Sequence, residues 1–344
     1  MRKKSGLSLL ELMLALAIGA VLIIGIGRVF SVSNASYRIT EEFARLQENT
    51  RSSLSLMAAD IRMAGFVPCG KTEISNNPLN IQQDDWWGHL FQHGIRAYDG
   101  DIANTEFPLA IRDQAVNGAD ALIIYRAGSQ TASLDHTSVH GKKLTLKRKQ
   151  TKDWLEDASL LIVCDSFHTT LFQASDISHD DQSVITIAPT TADIKPGNKV
   201  DEIDYSYEQG AQVVNYEPTI YFIAKSVSAD GYSLFREYLN ISKGKLTSRR
   251  EELVTGVENM QLQFGLDLFA EDGIADEYFP ASHINQYYQW EDVLSVKIGL
   301  LFATQDGMRK QFDSNEYILA DTLVSVNKDR RKRYINHFIV SVRN

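Results

Sequence analysis

Leu7 to Gly27 reads LSLLELMLALAIGAVLIIGIG, twenty-one residues that carry a single charge, Glu11. As a helix this run spans about 31 Å, roughly one hydrocarbon core. A carboxylate inside such a run costs about 2.5–3.5 kcal/mol on insertion scales, so a chain that keeps it has a use for it. Met1-Arg2-Lys3-Lys4 precedes the run. By the positive-inside rule this basic start stays cytoplasmic, and everything after Arg28 lies across the membrane. A cleaved secretory signal is the competing reading. It needs a small-residue cleavage site, whereas GIGRVFSVSNAS leads into more helical sequence.

Lys4-Ser5-Gly6-Leu7-Ser8-Leu9-Leu10-Glu11-Leu12 resembles the class III signal of type IV prepilins and type II secretion pseudopilins. The resemblance implies that a prepilin peptidase cuts after Gly6 and N-methylates Leu7, where the family usually has Phe. It also implies that Glu11 neutralises the new amine of an adjacent subunit. An unpaired charge in low dielectric costs several kcal/mol and pairing recovers much of it, so Glu11 acts as a register device for assembly.

Downstream, apolar residues recur at Val32, Ala35, Ile39, Phe43, Leu46, Leu54, Met57, Ile61 and Ala64, and Glu41, Glu42, Arg45, Glu48 and Arg51 fill the other face. This spacing predicts an amphipathic helix that stops at Gly65 and Pro68. A continuous helix from Leu7 to Ala64 is about 87 Å long. The division expected is a leader over 1–6, a transmembrane or fibre-core helix over 7–28, an amphipathic helix over 29–64 and a head over 65–344.

Beyond residue 70, short β-type runs alternate with turn signals. Strands are expected at Ala121–Arg126, Lys143–Arg148, Ser159–Val163, Ser183–Ile187, Thr219–Ile223, Ser233–Glu237, Gln261–Phe264, Val293–Phe302 and Tyr334–Val342. Asn117-Gly118, Pro196-Gly197, Asp230-Gly231 and Asp272-Gly273 mark turns. Residues 70–118, with Trp86-Trp87, read as a long irregular insertion. The fold class expected is α+β, a long N-terminal helix packed on an antiparallel β-rich head.

Several chemistries were weighed against this plan. His89/His93 and His136/His140 have a metal-compatible spacing but no H-E-x-x-H glutamate and fall in loop sequence. Asp267, Glu271, Asp272, Asp276 and Glu277 surround Gly273, yet Leu268 and Phe269 occupy the early ligand positions of a calcium loop and cannot coordinate. Lys142-Lys143 with Lys147-Arg148-Lys149, and Arg330-Arg331-Lys332-Arg333, read as solvated strand and turn faces. The formal net charge of −9 opposes nucleic acid as a partner. Neither a nucleophile–base–acid set nor a phosphate loop stands out, so no enzyme activity, cofactor or metal is expected.

The head is similar to PilW-type minor pilins through Ala64-Gly65-Phe66-Val67-Pro68-Cys69, Val116–Leu122, Leu253–Met260 with Gln263-Phe264-Gly265, Arg330-Arg331 and Val342-Arg343-Asn344. The resemblance implies an inner-membrane protein with a periplasmic head that is then assembled into a pilus. Its partners are other minor pilins, the major pilin, the prepilin peptidase and the inner-membrane assembly platform. Its role is priming pilus assembly at or near the tip. A J-type pseudopilin, or a tip adhesin or DNA-uptake receptor, is the alternative. Outside the cytoplasm Cys69 and Cys164 meet an oxidising compartment. The relatives' cysteines at both places imply a bridge between them, with two buried free thiols as the other possibility.

Overall fold

The computed structural model describes residues 8–342 apart from 71–72, 75–77, 83–84, 89–93, 102–105, 138–140, 148–153, 181, 190–195, 243, 270–271 and 305–310. Its first element is the helix α1 (Leu9–Arg62). Strands then follow as β1 (Glu73–Ile74), β2 (Ile95–Tyr98), β3 (Ala121–Ile124), β4 (Ala127–Thr137), β5 (Lys143–Leu146), β6 (Leu160–Cys164), β7 (His168–Gln173), β8 (Asp176–His179) and β9 (Ser183–Thr186). After them come β10 (Gln212–Tyr216), β11 (Thr219–Lys225), β12 (Tyr232–Ser242), β13 (Lys245–Thr255), β14 (Val257–Leu266) and β15 (Glu277–Phe279). The short helix α2 (Ala281–Tyr287) precedes β16 (Ser295–Ala303), β17 (Glu316–Leu319), β18 (Thr322–Ser325) and β19 (Arg333–Ser341). A long helix followed by a β-rich region makes the protein α+β.

The chain divides into two units, residues 1–48 and residues 49–344. In the first, α1 is long and apolar enough to cross a membrane. Its large apolar side chains are exposed from Leu9 and Leu10 through Ile23 and Ile26 to Val32 and Ile39.

In the second unit, β1-β7-β6-β10-β4-β5-β9-β8 form one sheet and β13-β12-β11-β3-β2 a second. A third is β15-β14-β16-β19, and β17 and β18 pair by themselves. Among the described strands only β1 with β7 is parallel. The alternation of side chains along a strand decides how these layers stack. In β6, Leu160, Ile162 and Cys164 join the core shared with Ile220 and Phe222 of β11, and with Phe235 of β12. Leu161 and Val163 enter a second core on the other face, with Leu134, Leu144, Phe172 and Ile185. Cores on both faces explain why β6 is apolar at every position. On β11, Tyr221 points away from Phe222 and donates its hydroxyl to Asp60 of α1 at 2.5 Å. Residues 49–62 of α1 therefore lie on the outer face of the five-stranded sheet. Met57 and Ile61, both fully buried, contribute about 1.5–3 kcal/mol each.

The end of α1 is tied down at several points. Gly65 adopts φ +71°, a conformation glycine enters without steric cost, and its N–H donates to Tyr125 O at 2.8 Å. The backbone of Gly94 packs so closely here that a Cβ on it would come 2.6 Å from the Gly65 nitrogen. Four residues after Gly65, Cys69 forms a disulfide with Cys164 at the end of β6, closing a sequence separation of 95 residues.

A buried aspartate joins the five-stranded sheet to the four-stranded one. Asp120, just before β3, donates its N–H to Met260 O at 2.8 Å in β14. Its carboxyl accepts the Leu262 N–H at 2.7 Å and the Gly100 N–H at 2.8 Å. The β17–β18 hairpin packs on the face of the four-stranded sheet. There a Cβ on Gly299 would lie 2.8 Å from the Ala320 nitrogen, so only glycine admits the hairpin.

Three expectations need correction. The run Ala121–Arg126 is not one strand. It breaks at Tyr125-Arg126, where the chain leaves β3 of one sheet to enter β4 of another. The segment 70–118 is irregular for most of its length, but it is no insertion outside the core. It supplies β2 to the five-stranded sheet, and Trp86, Trp87, Phe107 and Ile111 are core residues. The helical stripe is buried at Met57, Ile61 and Ala64, whereas Val32 and Ile39 are exposed.

Two predictions follow from these joints. In the entropy model a crosslink of this span stabilises by about 4–5 kcal/mol, with about 2–4 typical of measured bridges. Replacing both Cys69 and Cys164 by Ser should lower the unfolding free energy by about 2–4 kcal/mol, read by urea titration. The second concerns pH. Burial pushes the Asp120 carboxyl up to about 8 from its ordinary 3.8, against the pull of the Gly100 and Leu262 N–H groups. A group that holds its proton more tightly folded than unfolded loses its stabilising contribution as pH rises between those two values. Between pH 5 and 8 the wild-type melting temperature should therefore fall relative to Asp120→Asn. Parallel curves would remove Asp120 as the cause.

Candidate functional site: the helix start and the charged core of the head

Ser8 stands just ahead of α1, and its pairing with Glu11 sets the local geometry. The Ser8 N–H donates to Glu11 Oε2 at 3.0 Å, and the Glu11 N–H donates to Ser8 Oγ at 3.2 Å. This reciprocal pair is a capping box, which satisfies two backbone donors that a helix start otherwise leaves open. The Ser-x-x-Glu spacing was present in the sequence. Glu11 thus has a local partner before any second subunit is considered. Gly6 and Leu7 lie outside the described residues.

The head holds its strongest charge cluster under a cleft of about 730 Å³ whose walls include Asn117, Asp230, Tyr232, Asn259 and Arg331. At its base Arg333, buried at the start of β19, commits all five guanidinium donors. Nε and one Nη2 hydrogen reach Glu258 at 2.6 and 3.1 Å. Nη1 and Nη2 reach Asp329 at 2.8 and 2.7 Å. The remaining Nη1 hydrogen reaches the fully buried Asp313 at 3.3 Å, which also accepts the Tyr317 hydroxyl at 2.6 Å. Burial alone would raise the Asp329 carboxyl, but hydrogen bonds from Arg333 and the Arg331 N–H hold it below the usual range. Arg331 pairs with Asp230 at 2.6 Å. With every donor of Arg333 taken, this arginine is a brace for β19 and not an anion receptor.

The basic run 330–333 is therefore solvated only at Arg330 and Lys332, and turns Arg331 and Arg333 inward. The side chain of Arg333 is 1% exposed and that of Arg331 13% exposed, because carboxylates drawn from β14, from the segment before β17 and from the segment before β19 need guanidinium partners once they are removed from water. The run Lys142–Lys149 is described only in part. Lys142 pairs with Asp201 at 2.5 Å, and Arg148 and Lys149 lie outside the described residues.

The other sites weighed above divide similarly. His89, His93 and His140 lie outside the described residues, and His136 is exposed beside Asp135 at 3.3 Å. In the acidic loop, Asp267 accepts the Gly273 N–H, Asp276 accepts those of Leu268 and Phe269, and Asp272 accepts that of Ile274. These carboxylates brace the turn, and Glu271 lies outside the described residues. Among the described residues, no group of three or more His, Cys, Asp or Glu is set to hold a metal ion.

Residues 1–27 match the family model of the prokaryotic N-terminal methylation motif. With the long apolar helix that begins within it, this match supports the class of prepilins, in which α1 is suited to membrane anchoring and the rest of the chain forms a globular head. Residues 220–344, from β11 to the end of the chain, match the family model of type IV pilus-assembly protein W. Both matches support a PilW-type prepilin, a minor pilin of type IV pilus assembly, and imply that it meets other pilins and a prepilin peptidase. No curated protein and no solved structure gives a match.

The Arg333 brace lies inside the family-matched region and is testable by unfolding. Arg333→Met should cost about 3–5 kcal/mol at pH 7, because the buried Asp313 and the part-buried Glu258 and Asp329 lose their counter-charge. Asp329, held below its usual range by Arg333, stabilises the wild type above about pH 4 and loses that contribution on acidification. In the variant the stranded carboxylates favour protonation. The gap between the two proteins should then narrow as pH falls from 7 to 4, and a constant gap would contradict the brace.

Proposed function

We propose that this protein is a structural, non-enzymatic minor pilin that joins other minor pilins in a complex priming type IV pilus assembly, at or near the pilus tip. Its inner-membrane form has the head in the periplasm. The observation that carries this reading is the apolar, uncovered first half of α1 with one carboxylate, Glu11, at its start. Such a surface is stable only against lipid or against other apolar helices.

In this reading a peptidase cleaves after Gly6 and methylates Leu7, leaving a cationic amine four residues ahead of Glu11. The amine must enter an apolar fibre core, where an unpaired charge costs several kcal/mol. Glu11 of one subunit pairs with the amine of its neighbour, so stacking is favourable in one register only. The capping box supports this in a specific way: the free subunit keeps Glu11 satisfied until a neighbour's amine competes for it. The major pilin, the prepilin peptidase and the inner-membrane assembly platform are the remaining partners.

Glu11→Val tests the proposal. The variant should still insert and be cleaved, because the signal at Gly6 is intact, but it should lose co-purification with the other minor pilins and support few pili. Gly6→Leu should instead block cleavage itself. Normal piliation and normal partner recovery with Glu11→Val would overturn the register role.

A further inference from the structure

Beyond its place in a fibre, the head contains an open slot with the chemistry of a strand-binding site. β12 pairs with β13 from Ser233 to Ser242, but with β11 only from Tyr232 to Tyr238. The reason is the chain itself: upstream of Thr219, Glu217-Pro218 carries it away from the five-stranded sheet into β10 of the eight-stranded one. The line that β11 would have continued is left open, and a cleft of about 390 Å³ occupies it. Tyr238, Leu239, Asn240 and Ile241 line this cleft in unbroken succession. Successive side chains of a strand point to opposite faces, so four consecutive lining residues mean that β12 presents its edge there. Among the described residues, that edge has no ladder partner past Tyr238.

The walls point to the same kind of occupant. Buried polar atoms without a hydrogen-bond partner are costly and call for an explanation. Of the six such side-chain atoms among the described residues, three belong to lining residues of this cleft: Nε of Arg126, Nε of Arg236 and Oδ1 of Asn215. Two donors and one acceptor suit the C=O and N–H groups of a peptide backbone, which would reach these buried atoms once the wall side chains turn. Glu156 and Glu217 on the same walls oppose a free anion. Trp154, Leu239 and Leu246 supply apolar surface for side chains.

We propose that this cleft binds an extended polypeptide segment of another protein. The segment adds as a short strand, antiparallel to β12, along Leu239–Ser242 in the line of β11. Strand addition of this type draws affinity from main-chain hydrogen bonds and selectivity from the pockets beside the edge. The proposal rests on the head alone and stands whether or not Glu11 sets the register of a fibre.

The test uses the full chain in detergent, panned against a phage-displayed library of linear eight-residue peptides. Enriched peptides are synthesised and added while hydrogen exchange is followed along the chain. The expected result is slowed exchange of amides within Leu239–Ser242. Arg236→Ala, checked for an unchanged melting temperature, should weaken the same peptides about tenfold. If no peptide is enriched, or if enriched peptides slow exchange only elsewhere, the proposal is overturned. It is equally overturned if the cleft responds to a panel of disaccharides and to no peptide, which would make it a sugar site. Should Arg236→Ala fail to fold, the exchange pattern of the wild-type chain decides alone.

Discussion

An apolar helix surface with no cover of its own is the constraint on which the rest of this protein depends. From Leu9 to Ile26 nearly every large side chain is apolar and exposed. Leaving such surface in water costs about 25 cal/mol per Å². Lipid or other apolar helices are the cover such a surface calls for, which is what the proposed membrane-anchored and fibre-assembled states supply. Glu11 fits this frame because a charge costs most where water is excluded. In the proposed fibre, a residue whose cost falls when it meets an amine would convert that cost into a preference for one neighbour geometry.

The head must then hold the upper helix firmly, and it does so with polar joints set into apolar layers. Asn49 of α1 donates to Thr255 O at 2.8 Å. Asp60 accepts the Tyr221 hydroxyl and faces Arg126 at 3.4 Å. Immediately past the helix, the Cys69–Cys164 bridge fastens the chain to β6, a strand packed by cores on both faces. The bridge therefore ties the chain just past the helix by a covalent bond to a strand buried at every position. Asp120 and Arg333 play the corresponding part between layers, each satisfied by groups drawn from separate strands. Breaking such a joint strands several buried polar groups at once, which is why the expected costs exceed those of surface pairs.

Much of this was legible from residue patterns. The membrane-length run, the basic start, Gly6 and Glu11 identified the class, and the 3–4 spacing through Met57 and Ile61 located the packed stretch of the helix. Apolar runs such as Leu160–Val163 and Thr219–Ile223 located central strands. Other strands escaped because their patterns are not apolar. β13 reads KLTSRREELVT and buries only one of its eleven residues, so periodicity carried no signal, and only its pairing with β12 makes it a strand. The segment 70–118 looked like an insertion because its core residues, Trp86, Trp87, Phe107 and Ile111, are isolated and not periodic. The burial of Arg333 was illegible for a different reason: Glu258, Asp313 and Asp329 lie apart in sequence, and only the fold brings them to one guanidinium. The capping box at Ser8 was legible and was overlooked.

The central claim is that this chain is a processed subunit of a fibre, seated through its first helix. The most direct measurement is mass spectrometry of the N-terminal peptide of this protein in fibres sheared from cells. The account predicts a chain that begins at N-methylated Leu7 and is recovered with the fibres. A chain that retains residues 1–6, or one found only in the membrane and never with fibres, would contradict it.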